Sequence, residues 1–238
     1  LIQNTMQKIY TLLMFFYFGG LSVNAQNEMK INNPIFVSGI DLSKKKNIPS
    51  KSIQMICDTI FNIPTNSMPS GLTWDGQYFW YVDTANINKI TSTGVLINTY
   101  PNPAPNPSGY RGGDLCFDGI NIWYVDEESA QLYKINPITG NAIQQFSLPS
   151  FGSIDPNGFG IAWDGLNLWH SQYDPHKIYK LNPINGSVIS SFVLTETILG
   201  IEFVNGDLSG LNPYNSKIYK IDTNTGNFLD SSNWCVPF

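Results

Sequence analysis

Short apolar runs of β-forming residues recur along the chain, and turn residues bound each of them. The stretch 160–192 shows this most clearly, because Asp164-Gly165, Pro183 and Asn185-Gly186 divide it into four short runs. Runs of this length between Gly, Asn and Pro are typical of strands joined by tight turns. The pattern predicts four consecutive strands in this stretch.

The same four-run pattern occurs four times along the chain. The turn after the first run of each copy contains a glycine, and these glycines are 41–46 residues apart: Gly76, Gly119, Gly165 and Gly206. A period of about 40–45 residues with four strands per unit is the length of a propeller blade. We therefore predict an all-β fold, a β-propeller with four-stranded blades at about 70–101, 112–147, 159–194 and 199–238.

Aromatic residues recur at fixed positions of these predicted blades. The third strands read Ile87-Asn-Lys-Ile90, Leu132-Tyr-Lys-Ile135, Ile178-Tyr-Lys-Leu181 and Ile218-Tyr-Lys-Ile221, and tryptophans recur in the strands before them. A single blade does not cover both of its own faces, so aromatic and β-branched residues stacked between blades build the core. We predict that the tryptophans are packing residues rather than platforms for a ligand.

Both ends of the repeat region bear on the number of blades. Residues 53–63 predict an N-terminal outer strand that has no three inner strands before it. Propellers commonly close by pairing such a strand with a partial C-terminal blade. Here the chain stops at Phe238, directly after the fourth outer strand. We expect about four blades plus the N-terminal outer strand, as a fragment of a larger ring.

The first 25 residues have the pattern of a secretory signal peptide. Lys8 provides the positive region, residues 9–23 are apolar, and Val23-Asn24-Ala25 resembles a cleavage site that leaves Gln26 as the mature N-terminus. The alternative is a membrane anchor, for which this apolar run is too short. We expect a secreted or periplasmic protein, with a polar leader at 26–52 and no stable membrane insertion after cleavage.

Charge and cysteine content narrow the partners and the chemistry. The net charge is −5 with 13 Lys and Arg, which gives no basic stripe and argues against nucleic acid as a partner. The three cysteines, Cys57, Cys116 and Cys235, lack metal-type spacing. They predict buried free thiols or one disulfide bridge.

In a propeller, the loops that link blades and those between second and third strands meet at one face, where function concentrates. Here they supply the candidate ligand-binding residues Asp83, Arg111, Asp126, Glu127, Tyr173, Asp174 and His176, and they also carry Tyr110, Asp114, Glu128, Asp155 and Tyr214. One interpretation is an acidic cup for a cationic ligand or a divalent ion such as calcium. The other is that these side chains satisfy turn amides. We predict no resident cofactor and leave calcium open.

Glu202 is a further candidate, because the other inner strands have Thr73, Cys116 and Ala162 at its position. Facing the channel, it would be an acid or a ligand, or a solvated channel residue. His170 and His176 lie near Asp174, so either would serve as a general base beside a carboxylate. The chain has no phosphate loop, Cys-x-x-Cys or nucleophile elbow.

The repeated Trp-Asp-Gly, Leu-Trp, Ile-Tyr-Lys-Leu and Thr-Gly elements resemble two groups of secreted propellers over residues 53–238. These are bacterial propellers of the YVTN type and the glutaminyl cyclotransferase-like propellers of plants and bacteria. The segment 199–206, Leu-Gly-Ile-Glu-Phe-Val-Asn-Gly, is the part most similar to a cyclotransferase. That resemblance implies the propeller fold and, for the cyclotransferase group, an enzyme.

The chain departs from the cyclotransferase pattern at two places. The opening Phe-Thr-Gln-Gly-Leu of that family reads Met68-Pro-Ser-Gly-Leu72, and the carboxylate of the following strand is missing from Phe79-Trp-Tyr-Val82. We therefore predict a binding module for a protein, peptide or carbohydrate ligand, without catalysis of its own. The alternative is a glutaminyl cyclotransferase-like or lactonase-like enzyme that uses Glu202 and loop carboxylates.

Overall fold

The computed structural model describes residues 32–36, 59–64, 69–104, 113–126, 129–149 and 158–233. All regular elements in these ranges are strands, and no helix there is long and apolar enough to cross a membrane. The predicted signal peptide at 1–25 lies outside the described residues, as do Cys57 and Cys235. Cys116 is described, and it is a buried free thiol.

Two strands precede the first blade and pair with each other. Strand β1 (Asn32–Phe36) and strand β2 (Thr59–Pro64) are antiparallel, with Asn32 opposite Pro64. β2 falls at the predicted N-terminal outer strand. Its pairing partner β1 comes from the segment predicted as the polar leader at 26–52.

Four antiparallel sheets of four strands each follow, and in every sheet the strands lie side by side in chain order. Blade 1 contains β3 (Leu72–Trp74), β4 (Phe79–Val82), β5 (Asn86–Ile90) and β6 (Leu96–Pro101), and blade 2 contains β7 (Gly113–Phe117), β8 (Ile122–Asp126), β9 (Gln131–Ile135) and β10 (Ala142–Ser147). Blade 3 contains β11 (Gly158–Trp163), β12 (Leu168–Gln172), β13 (Lys177–Leu181) and β14 (Val188–Val193), and blade 4 contains β15 (Gly200–Val204), β16 (Asp207–Asn212), β17 (Lys217–Ile221) and β18 (Phe228–Asn233). The predicted all-β propeller of four-stranded blades is confirmed.

The core lies between successive blades. Trp80 of blade 1 packs in a cluster with residues of blade 2, Trp123 of blade 2 with residues of blade 3, and Trp169 of blade 3 with residues of blade 4. All three indoles are buried. For these three tryptophans, the predicted packing role is confirmed.

A three-residue unit explains why Trp, Asp and Lys repeat together. In blade 3 the indole Nε1 of Trp169 donates to Asp164 Oδ2 at 2.8 Å, and the Lys180 ammonium lies 5.0 Å from the indole ring and 3.5 Å from Asp164. Blade 1 repeats the unit with Asp75, Trp80 and Lys89. In blade 2, the indole of Trp123 donates to Asp118 and the Lys134 ammonium lies over the indole ring. The aspartate also caps the tight turn. The turn therefore holds the carboxylate in place as the acceptor for the buried indole.

Candidate functional site

The antiparallel order of each blade brings two kinds of loop to the same face of the propeller. These are the loops between second and third strands and the links to the next blade. We call this side the loop face, and the opposite side, which carries the Asp-Gly turns, the turn face. Of the predicted ligand-binding residues, the loop face carries Asp83, Asp126, Tyr173, Asp174 and His176, while Arg111 and Glu127 lie outside the described residues.

Asp83 and Asp126 are buried and cap their own loops. The Asp83 carboxylate accepts hydrogen bonds from the backbone N–H groups of Ala85 at 2.9 Å and Asn86 at 2.7 Å. The Asp126 carboxylate accepts one from the backbone N–H of Ser129 at 2.8 Å. These contacts assign both side chains the turn-capping role that was the second interpretation of the acidic loops.

Blades 3 and 4 carry amides where blades 1 and 2 carry these acids. Asn212 Oδ1 accepts from the backbone N–H of Tyr214 at 2.9 Å, and Gln172 Oε1 accepts from the Tyr179 hydroxyl at 3.0 Å. At this repeat position, a neutral amide oxygen therefore accepts hydrogen bonds in blades 3 and 4. In the part of the chain that the structure describes, no three His, Cys, Asp or Glu side chains converge as a metal site would require. Calcium binding stays a prediction.

The capping role of Asp126 predicts a measurable loss of stability. We expect Asp126→Ala to lower the free energy of unfolding by about 1–3 kcal/mol, because the buried Tyr124 hydroxyl and the backbone N–H of Ser129 lose their acceptor. Urea denaturation measures this. The control is Asp174→Ala, an exposed loop carboxylate that should change stability by less than about 0.5 kcal/mol. Equal losses in both variants would contradict the capping role.

The rings of Tyr173 and His176 form an aromatic cluster with Tyr214 of the next blade. The rings of Tyr173 and Tyr214 have centroids 6.3 Å apart and are tilted by 48°, and the His176 ring stands edge-on to Tyr173 at 5.8 Å. Tyr214 is 60% exposed, and Asp174, the chain neighbour of Tyr173, is exposed. We call the two tyrosine rings, together with the loops that carry them, the tyrosine cleft.

The link between blades 3 and 4 fixes both loops of the tyrosine cleft. Thr197 Oγ1 lies 3.1 Å from His176 Nε2 in the loop of blade 3. Glu196 Oε2 accepts hydrogen bonds from the side-chain amides of Asn212 at 3.2 Å and Asn215 at 3.4 Å in blade 4. Two consecutive residues of the link thus hold the two loops that carry the tyrosines.

Sequence reasoning missed Glu196, Thr197 and Asn215. They contact residues about twenty positions away in neighbouring loops, and no repeat position marks such contacts. The only available signal was their place on the predicted binding face, Glu196 and Thr197 in the link between blades 3 and 4 and Asn215 in the loop between the second and third strands of blade 4.

Glu202 lies on an inner strand, away from the loops. It stands opposite Ser209 in the register, as Ala162 stands opposite Trp169 in blade 3. This places Glu202 on the broad blade face that carries tryptophan in the other three blades. Its carboxylate accepts a hydrogen bond from the backbone N–H of Phe203 at 3.1 Å, and burial raises its pKa to about 8. The missing indole leaves a recess that Glu202 and Ser209 line.

Two further acidic groups lie on the inner strand of blade 2. Asp114 is fully buried, and it accepts hydrogen bonds from the backbone N–H groups of Leu115 at 2.6 Å and of Ile161 in blade 3 at 3.0 Å. Burial raises the pKa of Asp114 well above its usual range, and the nearby charge of Glu202 raises it further. Burial and Glu202 act on the pKa of the Cys116 thiol in the same direction. Asp114 therefore joins blades 2 and 3 as a buried acceptor.

His170 is a core residue. Its Nδ1 lies 3.0 Å from the backbone oxygen of Gly160, its ring stacks on Tyr179 at 6.2 Å, and burial lowers its pKa to about 4. Its side chain is only 1% exposed. Of the two histidines considered as a base, only His176 belongs to the tyrosine cleft.

Comparison with known proteins supports the fold without naming a family. No protein-family model matches the chain, and no curated protein matches its sequence. Among solved structures, the chain is similar to the glutaminyl cyclase of Myxococcus xanthus, with a TM-score of 0.58 and 13% identity over 71% of each chain. It is also similar to a nidogen/laminin complex, with a TM-score of 0.56 and 15% identity over 75% of this chain and 68% of the other.

A third similar structure is the virginiamycin B lyase of Staphylococcus aureus, with a TM-score of 0.52 and 18% identity over 77% of this chain. The chain spans 61% of the length of that lyase. These identities are low, so the likeness shows the β-propeller fold alone. The chain is a β-propeller repeat protein, and its structural neighbours include enzymes as well as a protein from a binding complex.

Proposed function

We propose that this protein is a secreted or periplasmic binding module whose ligand contacts the tyrosine cleft on the loop face. The ligand is a protein, a peptide or a carbohydrate. Fold alone does not decide this, because one fold hosts many functions, so the proposal rests on the site.

The observation that carries the proposal is the pairing of Tyr173 and Tyr214 from successive blades on an exposed face. Tyrosine offers a large apolar ring with few rotatable bonds, so its contacts cost little conformational entropy. The hydrogen bonds of Glu196 and Thr197 hold the two loops before any ligand arrives. A preorganised site of this kind supports binding without a further ordering cost.

Arrays of peptides and glycans probed with the purified chain test the proposal. We expect specific signals that the double variant Tyr173→Ala/Tyr214→Ala loses by at least about tenfold, which corresponds to the removal of two aromatic contacts. The matched control is Tyr78→Ala, because Tyr78 lies at the turn face, with the Lys89 ammonium 4.3 Å from its ring. Signals that survive the double variant, or that Tyr78→Ala also removes, would contradict the proposed site.

An enzyme is the second candidate, and Glu202 is the observation that favours it. A carboxyl group with a pKa of about 8 is protonated at neutral pH and suits a general acid. Glu202 lines a small recess together with Ser209. Incubation with N-terminal glutaminyl peptides and with lactones tests this role. Turnover that Glu202→Gln abolishes and Tyr214→Ala preserves would favour the enzyme over the binding module.

A further inference from the structure

We infer that the turn face of blades 2 and 3 binds the surface of a lipid bilayer with zwitterionic headgroups, through four apolar side chains at the tips of its turns. The contact is peripheral and reversible, unlike that of a membrane-spanning segment. It uses the side of the propeller opposite the tyrosine cleft, so it does not rest on the proposed function.

The four side chains are the most exposed large apolar groups among the residues that the structure describes. In blades 2 and 3, one lies in the turn between the first and second strands and one in the turn between the third and fourth. Because the strands of a blade are antiparallel neighbours in chain order, both turns lie at the same end of the sheet. Each tip is 72–84% exposed: Ile120, Ile138, Leu166 and Ile184.

Blades 1 and 4 show that these turns do not need an apolar side chain. Gln77 stands at the equivalent position of the first turn in blade 1, and Asn224 at that of the last turn in blade 4. In all six turns, the backbone N–H of the tip donates to the side-chain oxygen of the residue two positions before it, at 2.8 Å. Turn formation therefore does not explain the apolar residues of blades 2 and 3. Exposed apolar groups gathered at one face are typical of an interaction surface.

The backbone of the four apolar tips already has hydrogen-bond partners within the protein. A backbone polar group that enters an apolar medium needs such a partner, because no water is there to replace it. The tip N–H groups have the side-chain acceptors just described. The carbonyl of Ile184 also accepts from the Gln144 amide at 3.0 Å, and that of Ile138 accepts from the Tyr100 hydroxyl at 3.4 Å. Entry into the acyl region of a bilayer therefore leaves these groups hydrogen-bonded.

The chemistry of the tips favours a lipid surface over a protein partner. Protein interfaces take most of their binding energy from Trp, Tyr and Arg, and Leu is under-represented among such residues. The tips are all aliphatic, and they lie on turns that protrude. An added Cβ at Gly119 or Gly165, each directly before a tip, would have no heavy atom within 4 Å. A fluid acyl layer accepts protruding aliphatic groups without a complementary pocket.

The charge of the chain determines which headgroups are compatible. The net charge is −5, which repels an anionic surface. Lys134 and Lys180, in the third strands of these blades, lie over indole rings, and Lys180 is also paired with Asp164. These ammonium groups therefore have partners within the chain. The charge balance favours a zwitterionic surface.

Sedimentation of the intact chain with phosphatidylcholine vesicles measures the partition coefficient. We expect binding that about 0.5 M NaCl does not weaken and that added phosphatidylserine does not strengthen. Leu166→Gln and Ile184→Asn install the residues that the same turns carry in blades 1 and 4. Each should weaken binding by about five- to twentyfold, and the double variant should abolish it.

A matched control separates the turn face from exposed apolar surface in general. Val193 is 63% exposed and lies at the loop-face end of β14, so Val193→Thr should leave vesicle binding unchanged. All variants should keep the urea midpoint of the parent. Because Leu166 and Ile184 lie in different turns, each single variant checks the other against a local folding defect.

The outcomes that would overturn the inference are distinct from those that bear on the proposed function. No sedimentation with phosphatidylcholine at millimolar lipid, binding that the double variant retains, or binding that rises with phosphatidylserine would each overturn it. Sedimentation velocity without vesicles tests the other occupant of this face: self-association that the double variant loses would assign the tips to a second copy of the chain instead. Array signals that depend on Tyr214 report on the loop face, so the proposed function is tested separately.

Discussion

Trp169→Ala is expected to lower the free energy of unfolding by about 3–5 kcal/mol, the cost of removing a buried tryptophan from a packed core. Trp169 is 2% exposed, and its ring lies 6.2 Å from that of Phe192 and 5.8 Å from that of Phe203 in blade 4. Truncation leaves a cavity between blades 3 and 4. It also leaves Asp164 without the indole donor at 2.8 Å. Urea denaturation followed by tryptophan fluorescence and circular dichroism measures the loss.

Two controls separate packing from the hydrogen bond and from recognition. Trp169→Phe keeps an aromatic ring and loses the indole donor, so its smaller loss of about 1–3 kcal/mol reports the cost to Asp164. Ser209→Ala changes the equivalent position of blade 4, where a serine takes the place of the tryptophan. Its free energy of unfolding should stay within about 0.5 kcal/mol of that of the parent. If Trp169→Ala unfolds like the parent and instead loses ligand binding, its assignment as a packing residue is wrong.

The blade architecture was predictable because it follows from local chemistry that repeats. Gly76, Gly119 and Gly165 have φ angles of +94° to +96°, a conformation that glycine adopts without strain, and their spacing sets the repeat. The Trp-Asp-Lys unit then repeats with them, since each member contacts the other two within one blade. All three residues of one unit lie within about twenty residues of sequence, so the pattern can be read without knowing how the blades pack.

The acidic residues of the loops were found by sequence, whereas their role came from the contacts. A carboxylate at the end of a second strand is compatible with metal binding or with loop capping. The hydrogen bonds of Asp83 and Asp126 to their own loops favour capping. The amide of Asn212 at the same repeat position carries that signal in the sequence too, because an amide is a poor substitute for a carboxylate toward a cation and a good one toward a backbone N–H.

The tyrosine cleft was only half predictable, because it forms between blades. Tyr173 and Tyr214 occupy loops that the repeat alignment assigns to one face, so their presence on that face followed from sequence. Their separation of 6.3 Å depends on how two blades pack, and no single blade encodes it. The same holds for Glu196 and Thr197, whose hydrogen bonds join loops of different blades.

Blade 4 differs from the other blades on the face where they carry tryptophan. Glu202, Ser209 and Lys220 form its cross-strand row, where blade 3 has Ala162, Trp169 and Lys180. Lys220 pairs with Asp207 at 2.7 Å instead of lying over an indole. In this row, blade 4 thus has a titratable carboxyl group where the other blades have a packed indole and a small side chain. The stability of the protein should therefore depend on the protonation of Glu202.

Glu202→Gln is expected to stabilise the protein at alkaline pH and to leave it unchanged near pH 4.5. Burial raises the folded-state pKa of Glu202 from 4.5 to about 8. The unfolded chain therefore releases this proton at lower pH than the folded chain does, and stability falls as pH rises between these two values. Glutamine stays neutral throughout, so the variant should gain about 2–4 kcal/mol over the parent by pH 9.

His170 changes the absolute pH profile and leaves this difference intact. Burial lowers the pKa of His170 from 6.5 to about 4. In both proteins, the stability that the neutral imidazole contributes is therefore lost as the pH falls from 6.5 to about 4. Urea titrations at pH 5, 7 and 9 on the parent and on Glu202→Gln isolate the carboxyl, because the His170 effect cancels in the comparison. Ser209→Ala, which changes the cross-strand neighbour of Glu202 and removes no titratable group, is the control, and its profile should run parallel to that of the parent. A Glu202→Gln profile that also runs parallel would mean that the carboxylate ionises without cost, with a folded-state pKa close to its ordinary value, and the general-acid role would lose its basis.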